Sequence, residues 1–156
     1  MPYGSVFQSG LFAGETIIVT GGGSGIGRCT AHELAFLGAK VVLIGRDQAR
    51  LEQAQAEIIE DGGHADIQPL DIRVEDDVIA AVDMIVGRDG PIFGLVNNAG
   101  GQYTAPLEEI SQKGWETVVR TNLTGGFLMA REVFRQSMKP NGGGAIVNIT
   151  ADHWMS

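Results

Sequence analysis

The chain has 156 residues, 44% hydrophobic and 19% charged; that is one domain with enough apolar material to fill a core, which excludes a disordered chain. Its 11 Lys and Arg against 19 Asp and Glu give a net charge of −8, and an acidic surface repels a phosphate backbone, so no nucleic-acid partner is expected, although a small phosphate ligand held by local dipoles stays open. No apolar run approaches the roughly 20 residues that span a bilayer, Met1–Gly14 lacks the basic start and apolar stretch of a signal peptide, and the lone Cys29 has no partner for a disulfide, so a soluble cytoplasmic protein without membrane contact is expected.

Thr16 to Thr20 (TIIVT) is short and β-branched and reads as a strand that Gly21-Gly22-Gly23 stops. Ser24 to Leu37 reads as a helix closed by Gly38 in the position after the cap. Lys40 to Ile44 is a second buried strand. Asp47 to Asp61 is a helix with Leu51, Ala54 and Ile58 on one face. His64 to Leu70 is a weaker strand because of Pro69. Val74 to about Arg88 is a helix with Glu75, Asp76 and Asp77 in its first turn, where the helix dipole favours anions. Ile92 to Asn97 is the fourth strand, Ser111 to about Met138 a long helix, and Ala145 to Thr150 the fifth strand. Strands alternate with helices and are continuously apolar, which predicts an α/β fold: a doubly wound, Rossmann-type parallel sheet covered on both faces. Ligands on such a sheet bind at the carboxyl ends of the strands, where the winding reverses.

The chemistry-bearing residues lie at those ends. Thr20 to Gly27 (TGGGSGIG) joins the first strand to the first helix. Glycines there let backbone approach a pyrophosphate, and the helix N-terminus presents N–H groups and a partial positive charge; the alternative is a turn that only lets helix and strand pack closely. Gly45-Arg46-Asp47 ends the second strand. An acid at the strand end selects NAD, whereas an Arg nearby accommodates the 2′-phosphate of NADP; Gly45 takes the acid's place and Arg46 follows. NADP(H) is therefore the expected cofactor, with NAD(H) still possible. The alternatives are a solvated Arg46 and an Asp47 that caps the next helix. Asp71 can accept from an adenine amino group or cap the following helix. In Asn97-Asn98-Ala99-Gly100-Gly101, adjacent amides can tie neighbouring strands and touch the nicotinamide ribose, while a plain turn also uses Asn and Gly. Asn122 shares a helix face with Val118, Val119 and Gly126, so a buried amide is expected, either functional or satisfied by backbone carbonyls. Gly125 and Gly126 in mid-helix suggest a kink or a close contact. No metal site is expected.

Together these motifs, in this order and spacing, resemble the short-chain dehydrogenase/reductase family from about Leu11 to Thr150, including the strand Ile146 to Ile149 (IVNI). The resemblance implies that Gly21, Ser24, Gly25, Ile26 and Gly27 cradle the pyrophosphate, and that Arg46 meets the 2′-phosphate. It places Asp71 and Ile72 at the adenine, Asn97, Ala99 and Gly100 at the nicotinamide end, and Asn122 as the holder of a water in a proton relay. The GGGSGIGR opening and GRD strand end look like the branch of trans-2-enoyl-CoA and 2,4-dienoyl-CoA reductases, and like related bacterial alcohol dehydrogenases acting on terpenoids such as citronellol. No basic cluster suited to a CoA phosphate is visible.

Two departures stand out. The family's Ser at the end of the fifth strand is matched by Ala151, with Thr150 beside it, and neither Tyr3 nor Tyr103 has a Lys four residues on to form the family's Tyr-x-x-x-Lys pair. The expectation is the nucleotide-binding portion of an NADP(H)-preferring oxidoreductase of small molecules, catalytically silent alone and a homo-oligomer in its full-length form. The alternatives are a non-catalytic nucleotide-binding or regulatory subunit, and a methyltransferase, against which the glycine spacing speaks. The fifth strand is expected to be an uncovered edge, exposing Ile146, Val147 and Ile149, so that residues 1–156 alone are marginally stable and prone to self-associate.

Overall fold

The computed structural model describes residues 5–150; Tyr3 and Ala151, singled out above, lie outside them. The elements follow the expected order: β1 (Thr16–Thr20), α1 (Gly25–Phe36), β2 (Lys40–Gly45), α2 (Gln48–Glu60), β3 (His64–Pro69), α3 (Glu75–Asp89) and β4 (Ile92–Asn97). A 3₁₀ turn, Leu107–Glu109, follows, then α4 (Gln112–Val118), α5 (Gly126–Val133) and β5 (Ala145–Asn148). Gly38 and Gly62 adopt left-handed φ of 97° and 85° beyond the ends of α1 and α2, where a β-carbon is strained. Asp47 caps α2, its carboxylate accepting from the Arg50 N–H at 3.2 Å.

Two expectations need correction. The single long helix from Ser111 is instead four helical segments in succession. Ser111 is its cap, accepting from the Gly114 N–H at 3.1 Å, and π-helical stretches, Val119–Gly125 and Phe134–Met138, follow α4 and α5. Gly125 lies in the first of these, where a β-carbon would come within 2.7 Å of the Ile72 side chain; the glycine serves close packing. β5 is also shorter than expected. Asn148 pairs with Asn97, the last residue of β4, and after one more bond, from the Ile149 N–H to the Asn97 carbonyl at 2.9 Å, the ladder has no partner left.

Among the described residues the sheet has five parallel strands in the order β3-β2-β1-β4-β5. The winding reverses between β1 and β4, and the polar turns at their carboxyl ends face each other there. Alternation along each strand feeds two cores. Ile17, Val19, Val41 and Leu43 pack on Ala31, Ala35, Leu51 and Ile58 of α1 and α2. Ile18, Val42 and Ile44 pack on Val78, Val82 and Ile85 of α3 and on Leu128, Met129 and Val133 of α5. Burying each of these larger side chains contributes about 1.5–3 kcal/mol. β3 tolerates Pro69 because it is an edge strand. β5 is the other edge among the described residues, with Ile146 and Val147 in it 38% and 50% exposed and Ile149 just after it 42% exposed.

Gly27 fixes the distance between α1 and the first turn. A β-carbon there would overlap the Gly21 carbonyl and the Asn98 amide nitrogen, and backbone cannot move aside cheaply. Gly27→Ala is expected to lower stability by about 1–3 kcal/mol. Gly87→Ala, in α3 with open space around it, is expected to raise stability by about 0.5–1 kcal/mol. Thermal melts of both variants against the parent check the contrast, and a neutral Gly27→Ala would contradict it.

Candidate cofactor-binding site

A cleft of about 820 Å³ opens over the carboxyl ends of the strands. Its first wall is the turn after β1. The N–H groups of Gly21 and Gly22 bond the Ile44 carbonyl at 2.7 and 3.3 Å, which folds the turn back over the end of β2. Gly25 has φ of +52° and open space where a β-carbon would lie; the chain here is a cradle that a side chain would fill.

α1 then starts with no side-chain cap and no acid in its first turn. Its first helical bond runs from Arg28 N–H to the Ser24 carbonyl, so the N–H groups of Gly25, Ile26 and Gly27 precede the ladder. By contrast, α2 has the Asp47 carboxylate at its start, α3 has Glu75, Asp76 and Asp77, and α4 has the Ser111 hydroxyl. The positive end of the α1 dipole is left for an incoming anion.

The second wall is held by Thr20. Its hydroxyl donates to the Val96 carbonyl at 3.3 Å and accepts from the Asn98 and Ala99 N–H groups at 3.0 and 2.9 Å. One donor and two lone pairs are then all used. The Asn98 amide donates back to the Thr20 carbonyl at 2.9 Å. Behind it, Asn97 Nδ2 donates to Asn148 Oδ1 at 3.0 Å and to the Gly126 carbonyl at 3.1 Å, tying β4 to β5 and to α5. Asn97 Oδ1 is buried without a protein partner.

The far end carries charge. Arg46 follows β2, is exposed, and makes no hydrogen bond or ion pair among the described residues. Asp71 follows β3 and is gripped by Arg73: Nε donates to Oδ1 and Oδ2 at 2.8 and 3.1 Å, Nη2 to Oδ2 at 2.6 Å, and the Arg73 N–H to Oδ1 at 3.1 Å. The Arg73 hydrogen bonds hold the Asp71 carboxyl down at about 2, against the opposing effect of burial, and Arg46 adds to the lowering. The alternative of Asp71 capping α3 is set aside, because the residue before that helix is Val74 and its start has no side-chain cap.

Of the residues expected to touch a cofactor, Gly21, Ser24, Gly25, Ile26, Arg46, Asp71, Ile72, Ala99 and Gly100 line this one cleft. Gly27 and Asn97 are not among its lining residues; they stand behind the walls, and their contacts are to protein. Asn122 is not buried, which corrects that expectation. It is exposed, and its amide clasps Gly101 on both sides, Oδ1 accepting from the N–H and Nδ2 donating to the carbonyl, each at 2.9 Å. It lies in the π-helical stretch Val119–Gly125. Arg50, Arg73 and Thr121 also line the cleft, and Thr20 and Asn98 hold its second wall, roles the sequence reading does not assign to Thr20, Arg50, Arg73 or Thr121. Thr20 and Asn98 were legible as flanks of glycine motifs, whereas nothing in the sequence pattern marks Arg73.

The chain matches the short chain dehydrogenase family over residues 15–153. It belongs to that family. Gluconate 5-dehydrogenase of Gluconobacter oxydans is 42% identical over 137 residues, 88% of this chain and 53% of that protein. Among solved structures, the citronellol catabolism dehydrogenase of Pseudomonas aeruginosa PAO1 is 60% identical with a TM-score of 0.93, covering 97% of this chain and 62% of the other. Actinorhodin polyketide ketoreductase with NADPH and an NAD⁺-bound xylitol dehydrogenase are each 37% identical with a TM-score of 0.85, covering 88% of this chain and 53% of theirs. The chain spans about half the length of the curated relatives it matches. No helix among the described residues is long and apolar enough to cross a membrane.

The Asp71–Arg73 pair has a pH signature. A carboxyl lowered in the folded state stabilises the fold above its unfolded value, near 4, and that contribution is lost as pH falls from about 4 to about 2. The loss is expected to be about 1–2 kcal/mol. Asp71→Asn is expected to flatten the acid limb of stability against pH in that window, and denaturant titrations at fixed pH check it; an unchanged limb would contradict it.

Proposed function

We propose that these residues are the cofactor-binding portion of an NADP(H)-preferring short-chain oxidoreductase that moves hydride between the nicotinamide and a small enoyl-CoA or alcohol/carbonyl substrate. The observation that carries the cofactor choice is Arg46, a guanidinium without an ion-pair partner among the described residues, at the strand end where an acid would serve NAD. The open Gly25 cradle and the uncapped start of α1 fit a pyrophosphate. The NADPH-bound ketoreductase fits this reading, and the equally similar NAD⁺-bound xylitol dehydrogenase supports NAD(H) as the alternative. The likeness to the citronellol catabolism dehydrogenase supports an alcohol or carbonyl substrate.

When bound, the cofactor gives or takes the hydride. The chain's own residues bind and aim it. Gly21, Ser24, Gly25 and Ile26 hold the pyrophosphate, with Gly27 setting the approach of α1. Arg46 meets the 2′-phosphate, and Asp71 with Ile72 borders the adenine. Ala99 and Gly100 line the nicotinamide end, and Asn97 holds that floor from behind. Asn122 is assigned as a positioning residue for the 99–101 loop and, through it, for a water in the proton relay.

Two experiments test this. Arg46→Ala is expected to weaken NADPH about tenfold and to change NADH by less than about twofold, since a charge-assisted contact is worth about 1.5–3 kcal/mol. Fluorescence titration with both cofactors checks it, and equal weakening, or tighter NADH in the parent, would overturn the preference. In the complete enzyme, Asn122→Ala is expected to lower kcat by about tenfold or more while cofactor affinity stays within about twofold. A lowered Tm with kcat intact would leave Asn122 a packing residue only.

A further inference from the structure

The charged residues that line the cleft all lie at its far end: Arg46, Asp47, Arg50, Asp71 and Arg73. They sum to one positive charge in a chain of −8. Asp47 is committed to α2, accepting from the Arg50 N–H and pairing with its Nε at 3.2 Å. The other pair differs. Gly45 and Pro69 are in register, and the Leu70 N–H bonds the Gly45 carbonyl at 2.8 Å, so Arg46 and Asp71 leave neighbouring strand ends one residue beyond.

A guanidinium has five N–H donors. Asp71 takes the Nε–H and one hydrogen of Nη2, which occupies one edge. The Nη1 hydrogens and the second Nη2 hydrogen have no partner among the described residues, and Arg73 lines the cleft. The four contacts use three Arg73 hydrogens, the Nε–H being shared between Oδ1 and Oδ2, so the carboxylate keeps acceptor capacity of its own. Three guanidinium hydrogens are left for the cleft, on a side chain held by its own counter-ion.

We propose that Arg73 is a specificity-determining residue for NADP(H): Asp71 clamps one edge of its guanidinium, and the open edge takes a share of the 2′-phosphate beside Arg46. This rests on the NADP(H) reading above. Phosphate suits it, because planar guanidinium donors match phosphate oxygens and a dianion can engage two such groups. Asp71 is then a positioning residue that also tempers the local positive charge.

The test measures dissociation constants of NADPH and NADH on each preparation of the chain. Their ratio is insensitive to the fraction of protein that is folded, which covers a variant that folds poorly. Arg73→Gln is expected to reduce the preference for NADPH about tenfold, the worth of one charge-assisted contact. Because that change strands Asp71, the double variant Asp71→Asn/Arg73→Gln is measured too and is expected to lose the preference equally. Adenosine 2′-monophosphate, which carries the phosphate without the rest of the cofactor, is expected to weaken in both, and adenosine 5′-monophosphate in neither. If the double variant regains the parent ratio, the loss came from an unpaired carboxylate and the proposal fails. Equal weakening of both cofactors also overturns it, since Arg73 would then act on the shared adenosine. If Arg73→Gln keeps the ratio while Arg46→Ala abolishes it, this proposal falls and the NADP(H) reading stands. No preference in the parent ends both.

Discussion

The site depends on the hydroxyl of Thr20. It sits at the end of β1, at the reversal of the winding, and its three hydrogen bonds with the Asn98 bond to its carbonyl join the carboxyl ends of β1 and β4. Both walls of the cleft start from those two ends. A buried hydroxyl that serves two backbone N–H groups leaves them costly to desolvate if it is lost, on the order of 1–3 kcal/mol each. Gly27 completes the junction, because only a residue without a β-carbon lets α1 come down beside Gly21 and Asn98.

That junction lets an acidic chain receive an anion. The net charge of −8 disfavours phosphate everywhere except where local groups outweigh it. One such place is the bare start of α1, where the other helix starts described above carry acids or caps. The other is the cluster of Arg46, Arg50 and Arg73. The two lie in one cleft, where Gly23 of the glycine turn lies against Arg50.

The rest of the molecule supports this end from a distance. In the π-helical turn after α4, Asn122 holds Gly101 and Gly125 lies against Ile72, so one helical irregularity braces both the 99–101 loop and the residue after Asp71. α5 is anchored to α3 by Arg131 on Glu75, at 2.6 Å, and the π-helical stretch after it by Gln136 on the Ile79 carbonyl, at 3.2 Å. Glu132, 2% exposed, takes Arg131, Arg135 and Gln136. Burial pushes its carboxyl up, but these partners outweigh that and leave it lowered, which keeps a buried charge paired.

The sequence by itself determined the order and type of the elements, because apolar strands such as TIIVT and KVVLI alternating with amphipathic helices have few other solutions. It also marked most of the cleft: glycine spacing, Arg46, Asp71 and the Asn-Asn-Ala-Gly turn are local signals tied to strand ends. Tertiary structure decided what is non-local. That Gly27 packs against Gly21 and Asn98 rather than lining the cleft follows from how closely α1 meets β4, and spacing within one turn cannot show it. Asn122 reads as a buried amide on a regular 3.6-residue helix; in the structure it lies in a π-helical stretch, is exposed and holds Gly101. Arg73 carries no periodic or motif signal; its place in the cleft comes from Asp71, which turns a side chain two residues along the chain back toward the ends of β2 and β3.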